Sequence, residues 1–173
     1  MKKVIFKDLP STETPINASN LNQVQNNIEE EFTNINNKFI GRAVASGQDK
    51  ITTDGTEQVY KFASKTIHRG SEDTITINTS TGKATINKDI GFVRFFINSQ
   101  INSTGNSAYL TVKLYKNNTQ IGNMRFKPAV NFETRGSSFF YDTLSTGDVL
   151  HITITSDSTS LTMNTTTVIM EEL

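Results

Sequence analysis

The chain has 173 residues, with 17 Lys or Arg balanced by 17 Asp or Glu and no cysteine. That length accommodates one domain with a real core plus an appendage. Zero net charge supplies no overall field to hold nucleic acid, and the missing cysteines exclude disulfides, thiolate nucleophiles and Cys-based zinc sites.

Residues 1–16, MKKVIFKDLPSTETPI, run through Val4, Ile5 and Phe6 and are then interrupted by Pro10 and Pro15. The segment reads as an extended arm. Val4, Phe6, Leu9 and Ile16 make it more apolar than a solvated tail requires, so they are its candidate docking residues. Its short apolar run fails as a signal peptide, and no run approaches the roughly 18 residues of a membrane span. The expectation is synthesis in a cytoplasm without membrane insertion.

Residues 17–40, NASNLNQVQNNIEEEFTNINNKFI, carry Leu21, Val24, Ile28, Phe32, Ile35 and Phe39 at spacings of 3, 4, 4, 3 and 4. This is one apolar stripe on a helix that is otherwise polar. Asn17 is a candidate N-cap and Gly41 a stop signal. The stripe must bury itself against the rest of the chain or against copies of itself. Asn, Gln and Glu on the other faces favour copies, and two phenylalanines suit a bundle of three.

Residues 41–57 contain Gly41, Gly47 and Gly55 among polar residues and read as a linker with one short strand near Lys50 to Thr53. Beyond it, apolar alternation and turn signals succeed each other about every ten residues. The expected strands are 58–67, 74–78, 83–87, 92–101, 108–116, 120–126, 136–144, 148–156 and 161–171. Leu110, Val112 and Leu114 share one face, as do Leu150, Ile152 and Ile154, and these faces should form a core. The fold class is thus mainly β: an arm over 1–16, one helix over 17–40, and a sandwich head over 58–173.

The strand GFVRFFINS presents Val93, Phe95 and Ile97 on one face and Phe92, Arg94 and Phe96 on the other. The first set matches the aliphatic core faces. Phe92 and Phe96 then need a cover from outside the sandwich.

Two stretches carry resemblances. FKDLPSTETPINASNLNQVQNNI, residues 6–28, resembles the opening of short bacteriophage virion proteins, which implies a segment that docks on the particle and begins a trimeric fibre. TITINTSTGKATINKDIGFVRFFINSQI, YLTVKLYKNNTQIG, DTLSTGDVLHITIT and TTVIMEEL, in that order, are similar to pieces of the C1q/TNF-like jelly roll, with Asn118 where Gly is usual and no aromatic-Gly pair in the closing strand. That resemblance implies a homotrimer packed through its inner sheets, and ligand binding rather than catalysis. It places the head interface at Phe92, Phe96, Phe139 and Tyr141.

Chemistry is sparse. His68 and His151 have no partner at metal-ligand spacing, and no nucleophile elbow, phosphate loop or dinucleotide fingerprint is present. Alternation turns His151 toward solvent, and Glu72 with Asp73 after Gly70 reads as a turn. No catalytic, cofactor-binding or metal residue is assigned, and no cofactor is expected. The functional expectation is a virion appendage. Its partners would be other virion proteins and a host cell-surface glycan or protein receptor, contacted by loops bearing Asn102, Asn106, Asn117 and Asn118. The alternative is a purely structural decoration of the particle.

Overall fold

A computed structural model describes residues 18–46, 55–103, 109–129, 131–157 and 161–173. The chain divides into two compact units, Met1–Lys38 and Phe39–Leu173. The arm residues Val4, Phe6, Leu9 and Ile16, the cap candidate Asn17, the strand expected near 50–53 and the loop residue Asn106 lie outside the described residues.

In the first unit, α1 spans Ala18–Asn37. Its polar faces support it locally: the Gln25 side chain donates to Glu29 one turn on at 3.0 Å, and Thr33 Oγ1 donates to the Glu29 carbonyl at 2.8 Å. None of its residues is buried, and Val24, Ile28, Phe32 and Ile35 are each more than half exposed.

The helix stops short of the expected residue 40. Phe39 belongs instead to the second unit: its N–H donates to the Glu172 carboxylate at 2.7 Å and its carbonyl accepts from the Glu172 N–H at 2.9 Å. Its ring is buried in the β core. A backbone paired to a strand cannot also be helical, so Phe39 is no part of the helix stripe. Gly41 does not stop the helix either. A Cβ there would lie 2.3 Å from the Phe39 ring, so glycine is what lets that ring seat itself.

Among the described residues the second unit contains eleven strands. β1 Ile40–Ser46, β3 Phe62–Arg69, β6 Gly91–Ser103, β9 Glu133–Leu144 and β11 Leu161–Glu172 form one sheet in the order β3-β1-β11-β6-β9. The other sheet has the order β4-β5-β10-β7-β8, from β4 Ile75–Asn78, β5 Lys83–Ile86, β7 Leu110–Lys116, β8 Thr119–Phe126 and β10 Val149–Ser156. β2 Gln58–Tyr60 also pairs with β10. From β6 onward the chain alternates between sheets except at the β7–β8 hairpin, so most neighbours are distant in sequence and antiparallel.

Two expectations about strands need correction. Residues 40–46 are not the end of the helix and the start of a linker but a strand between β11 and β3, buried at Gly41, Ala43 and Ala45. Their small side chains hid the alternation from a hydrophobicity reading. The strand expected over 58–67 breaks at Lys61, and its halves enter different sheets. The 3-10 turn at Glu72–Thr74 agrees with the turn read for Glu72 and Asp73.

The core lies between the sheets. Val93, Phe95 and Ile97 of β6, Leu110, Val112 and Leu114 of β7, and Leu150, Ile152 and Ile154 of β10 are all buried, as their alternation requires. Phe95 and Phe140 stack at 5.2 Å between ring centroids, the Phe140 ring lying where a Gly122 side chain would be. Ser99 and Thr166 are fully buried polar residues whose hydroxyls satisfy each other at 2.7 Å.

Candidate interaction face

The five-stranded sheet turns its other face to the outside. Register places Phe96 beside Ile169 of β11 and Phe139 of β9, and Arg94 beside Glu171 and Tyr141. Val93, Phe95 and Ile97 point inward, so Phe92, Arg94 and Phe96 must point outward. Phe92 and Tyr141 stack with centroids 5.9 Å apart, and Phe139 meets Tyr141 edge-on at 6.2 Å. These rings are open: Phe139 is 65 % exposed, and Phe92 and Tyr141 about half.

A shallow depression of ≈ 390 Å³ sits in this face, lined by Arg94, Phe96, Phe139, Tyr141, Ile169 and Glu171. Its charged members cancel. Arg94 Nε donates to Glu171 at 3.1 Å, and Arg94 Nη2 donates to the same oxygen. The Glu171 hydrogen bond and charge hold the guanidinium above its ordinary pKa. Such a pair leaves an apolar surface with no net charge to repel a like surface.

The face has two halves. The aromatic half lies at the end where Ile40 pairs with Glu171. Toward the other end the pairs become Asn98 with Ser137 and Gln100 with Arg135, and Gln100 donates to Glu133. Ile169 and Glu171 were absent from the sequence reading of this surface. The alternation of TTVIMEEL would have found them, because the chain neighbours of buried Val168 and Met170 must face outward.

The candidate receptor asparagines separate. Asn102 lies on β6 and not in a loop, its Nδ2 3.5 Å from Asn164 Oδ1. Asn117 and Asn118 are the central pair of the β7–β8 hairpin, with φ of 50° and 67°, the two left-handed residues of a type I′ turn. The Asn117 side chain accepts from the Val149 N–H at 2.9 Å and donates to Asp148, so it is committed to a neighbouring turn. Asn118 is exposed.

On the outer face of the second sheet, Glu57 accepts hydrogen bonds from Thr153, from Tyr115 at 2.8 Å and from Lys113 at 3.2 Å. The Thr153 bond, with those from Tyr115 and Lys113, holds its carboxyl below the ordinary value against the opposing effect of burial. His151 is half-buried and stacks on Tyr115 at 5.0 Å, and burial, then the Lys83 charge, lower its pKa. His68 is exposed on β3. Among the described residues no three His, Asp or Glu gather into a group that could hold a metal ion, and no helix is long and apolar enough to cross a membrane.

No family model matches the chain, and no curated protein is similar to it in sequence. Solved structures are similar in fold. The globular domain of zebrafish complement 1qA protein matches with a TM-score of 0.51 at 14% identity, over 79% of this chain and 97% of that one. Murine APRIL matches with a TM-score of 0.50 at 12% identity, over 77% of this chain and 98% of that one. With two antiparallel sheets in this strand order, the second unit is a C1q/TNF-like jelly roll.

Proposed function

We propose that this chain is a non-enzymatic bacteriophage virion appendage, a head or tail fibre protein. Three copies assemble through the helix stripe and the aromatic face of the head. The arm over residues 1–16 docks on other virion proteins, and the trimeric head binds a host cell-surface receptor, glycan foremost.

The observation that carries this reading is the open cluster of Phe92, Phe96, Phe139 and Tyr141 on a sheet whose other face is already a filled core. A contiguous aromatic surface of this kind is expected to be covered by another molecule. A second apolar surface on the same chain, Val24, Ile28 and Phe32 of α1, has the same need. Copies of the chain satisfy both at once, and the Arg94–Glu171 pair, closed within one chain, leaves the face no net charge to repel another copy. The sequence likeness of residues 6–28 to virion proteins supports the location on a particle.

Native mass measurement and cell binding test the reading together. The expected mass is three times the 19.2 kDa chain, and labelled protein should bind host cells and lose that binding when surface glycans are stripped. A trimer that binds no host cell would favour a structural decoration of the particle. A monomer would sink the assembly itself.

A further inference from the structure

Tyr109 stands immediately before β7, and Leu110 pairs with Phe126 of β8. Leu110 is buried, so alternation places Tyr109, Arg125 and Lys127 together on the outer side of the ladder. The Arg125 guanidinium lies 4.3 Å from the Tyr109 ring centroid and the Lys127 ammonium 5.9 Å from it. The ring is 46% exposed, and both cations are exposed.

Six other cations of the head, Lys65, Lys88, Arg94, Lys113, Lys116 and Arg135, have carboxylate partners. Among the described residues, neither Arg125 nor Lys127 has one. Two like charges share one ring and are not neutralised, so an incoming anion is attracted twice. β8 is also the last strand of its sheet, so no further strand of that sheet flanks the patch on that side.

We infer that Tyr109, Arg125 and Lys127 form a docking surface for an acidic polysaccharide, a chain of sugar rings bearing carboxylates. The tyrosine supplies an apolar platform for a sugar ring, and the guanidinium fork and the ammonium take the carboxylate. Tyrosine and arginine are also the residue types that dominate binding energy at protein surfaces. Two cations on a chain of zero net charge neutralise too few phosphates to retain nucleic acid. The inference rests on the reading of the head as receptor-binding, and it names the class of ligand.

Calorimetric titration of the full chain with sodium oligogalacturonate, dextran of matched length and a single-stranded oligonucleotide tests it. The expected result is binding to oligogalacturonate that weakens with salt, and none to dextran. Combined Arg125→Gln and Lys127→Gln should weaken binding about tenfold or more, Tyr109→Ala should do likewise, and Tyr109→Phe should retain it, all at unchanged oligomer mass. Absence of oligogalacturonate binding, equal binding to dextran, tighter binding to the oligonucleotide, or indifference to the charge variants would each overturn the assignment. If those variants still bind host cells as the native chain does, this surface is wrong while the receptor reading stands. A native chain that binds oligogalacturonate but no host cell leaves the surface intact and removes the receptor reading alone.

Discussion

Phe140 of β9 occupies the space above Gly122 of β8, so close that a Cβ on residue 122 would lie 2.3 Å from the ring. The two strands belong to opposite sheets, and the ring bridges them while stacking on Phe95. Gly122→Ala should therefore destabilise the head by about 1–3 kcal/mol, the usual cost of overfilling a packed site. Chemical denaturation of the variant checks this, and an unchanged midpoint would show that the ring has room to move.

Phe96→Asp should dissociate the head contact. Phe96 lies between Ile169 and Phe139 on the open face, and a carboxylate desolvated there against another copy costs several kcal/mol. The head itself should stay folded, because position 96 points away from its core. Native mass of a chain shortened to residues 39–173, which lacks the helix, and far-ultraviolet circular dichroism on the same sample read the two effects separately.

Ile28→Asp with Phe32→Asp should loosen the helices and leave the melting of the β unit unchanged, since no residue of α1 is buried. Hydrogen exchange over residues 18–37 should rise in the variant. Equal exchange in both proteins would mean that the stripe is not an inter-chain seam.

Under the proposed virion role, deleting residues 1–16 should give a soluble trimer that no longer joins the particle. Normal incorporation of the truncated chain into purified virions would refute the docking role.

Stability should fall toward acid in two stages. The His151 imidazole is held below its ordinary 6.5, so as pH drops through that value the unfolded chain takes up the proton first and the fold loses stability until the lowered folded pKa is reached. The Glu57 carboxyl is held below 4.5, so its contribution is complete above that value and disappears as pH falls through its folded pKa. His151→Gln should remove the upper stage and Glu57→Gln should reduce the lower one, to which Asp73 and Asp89, also held below their ordinary values, contribute as well, read as the pH dependence of the denaturation midpoint.

Particular residues show what could be read in advance. The period of Leu21 to Ile35 was enough to place α1, and the alternation about Phe95, Val112 and Ile152 was enough to place three core strands and their inward faces, because each signal is local. Phe39 continued the helical spacing, yet its fate was decided by Glu172, a residue 133 positions away. Ile40–Ser46 was missed for a different reason. A strand built on Gly41, Ala43 and Ala45 buries too little apolar surface to show periodicity, and it is a strand because β11 and β3 flank it. The commitment of Asn117 to Val149 and Asp148, and the meeting of Tyr109 with Arg125 across a hairpin, likewise depend on pairing that no single stretch encodes.

The hydrogen bonds between Phe39 and Glu172 bear on the order of events during synthesis. β11 sits in the middle of its sheet, between β1 and β6, so the sheet stays split into two parts until residues 161–172 have left the ribosome. The head of a nascent chain must wait for them, holding β1 open as an unpaired edge. The helix, Ala18–Asn37, has emerged well before. Translation order thus places closure of this sheet long after α1 has left the ribosome.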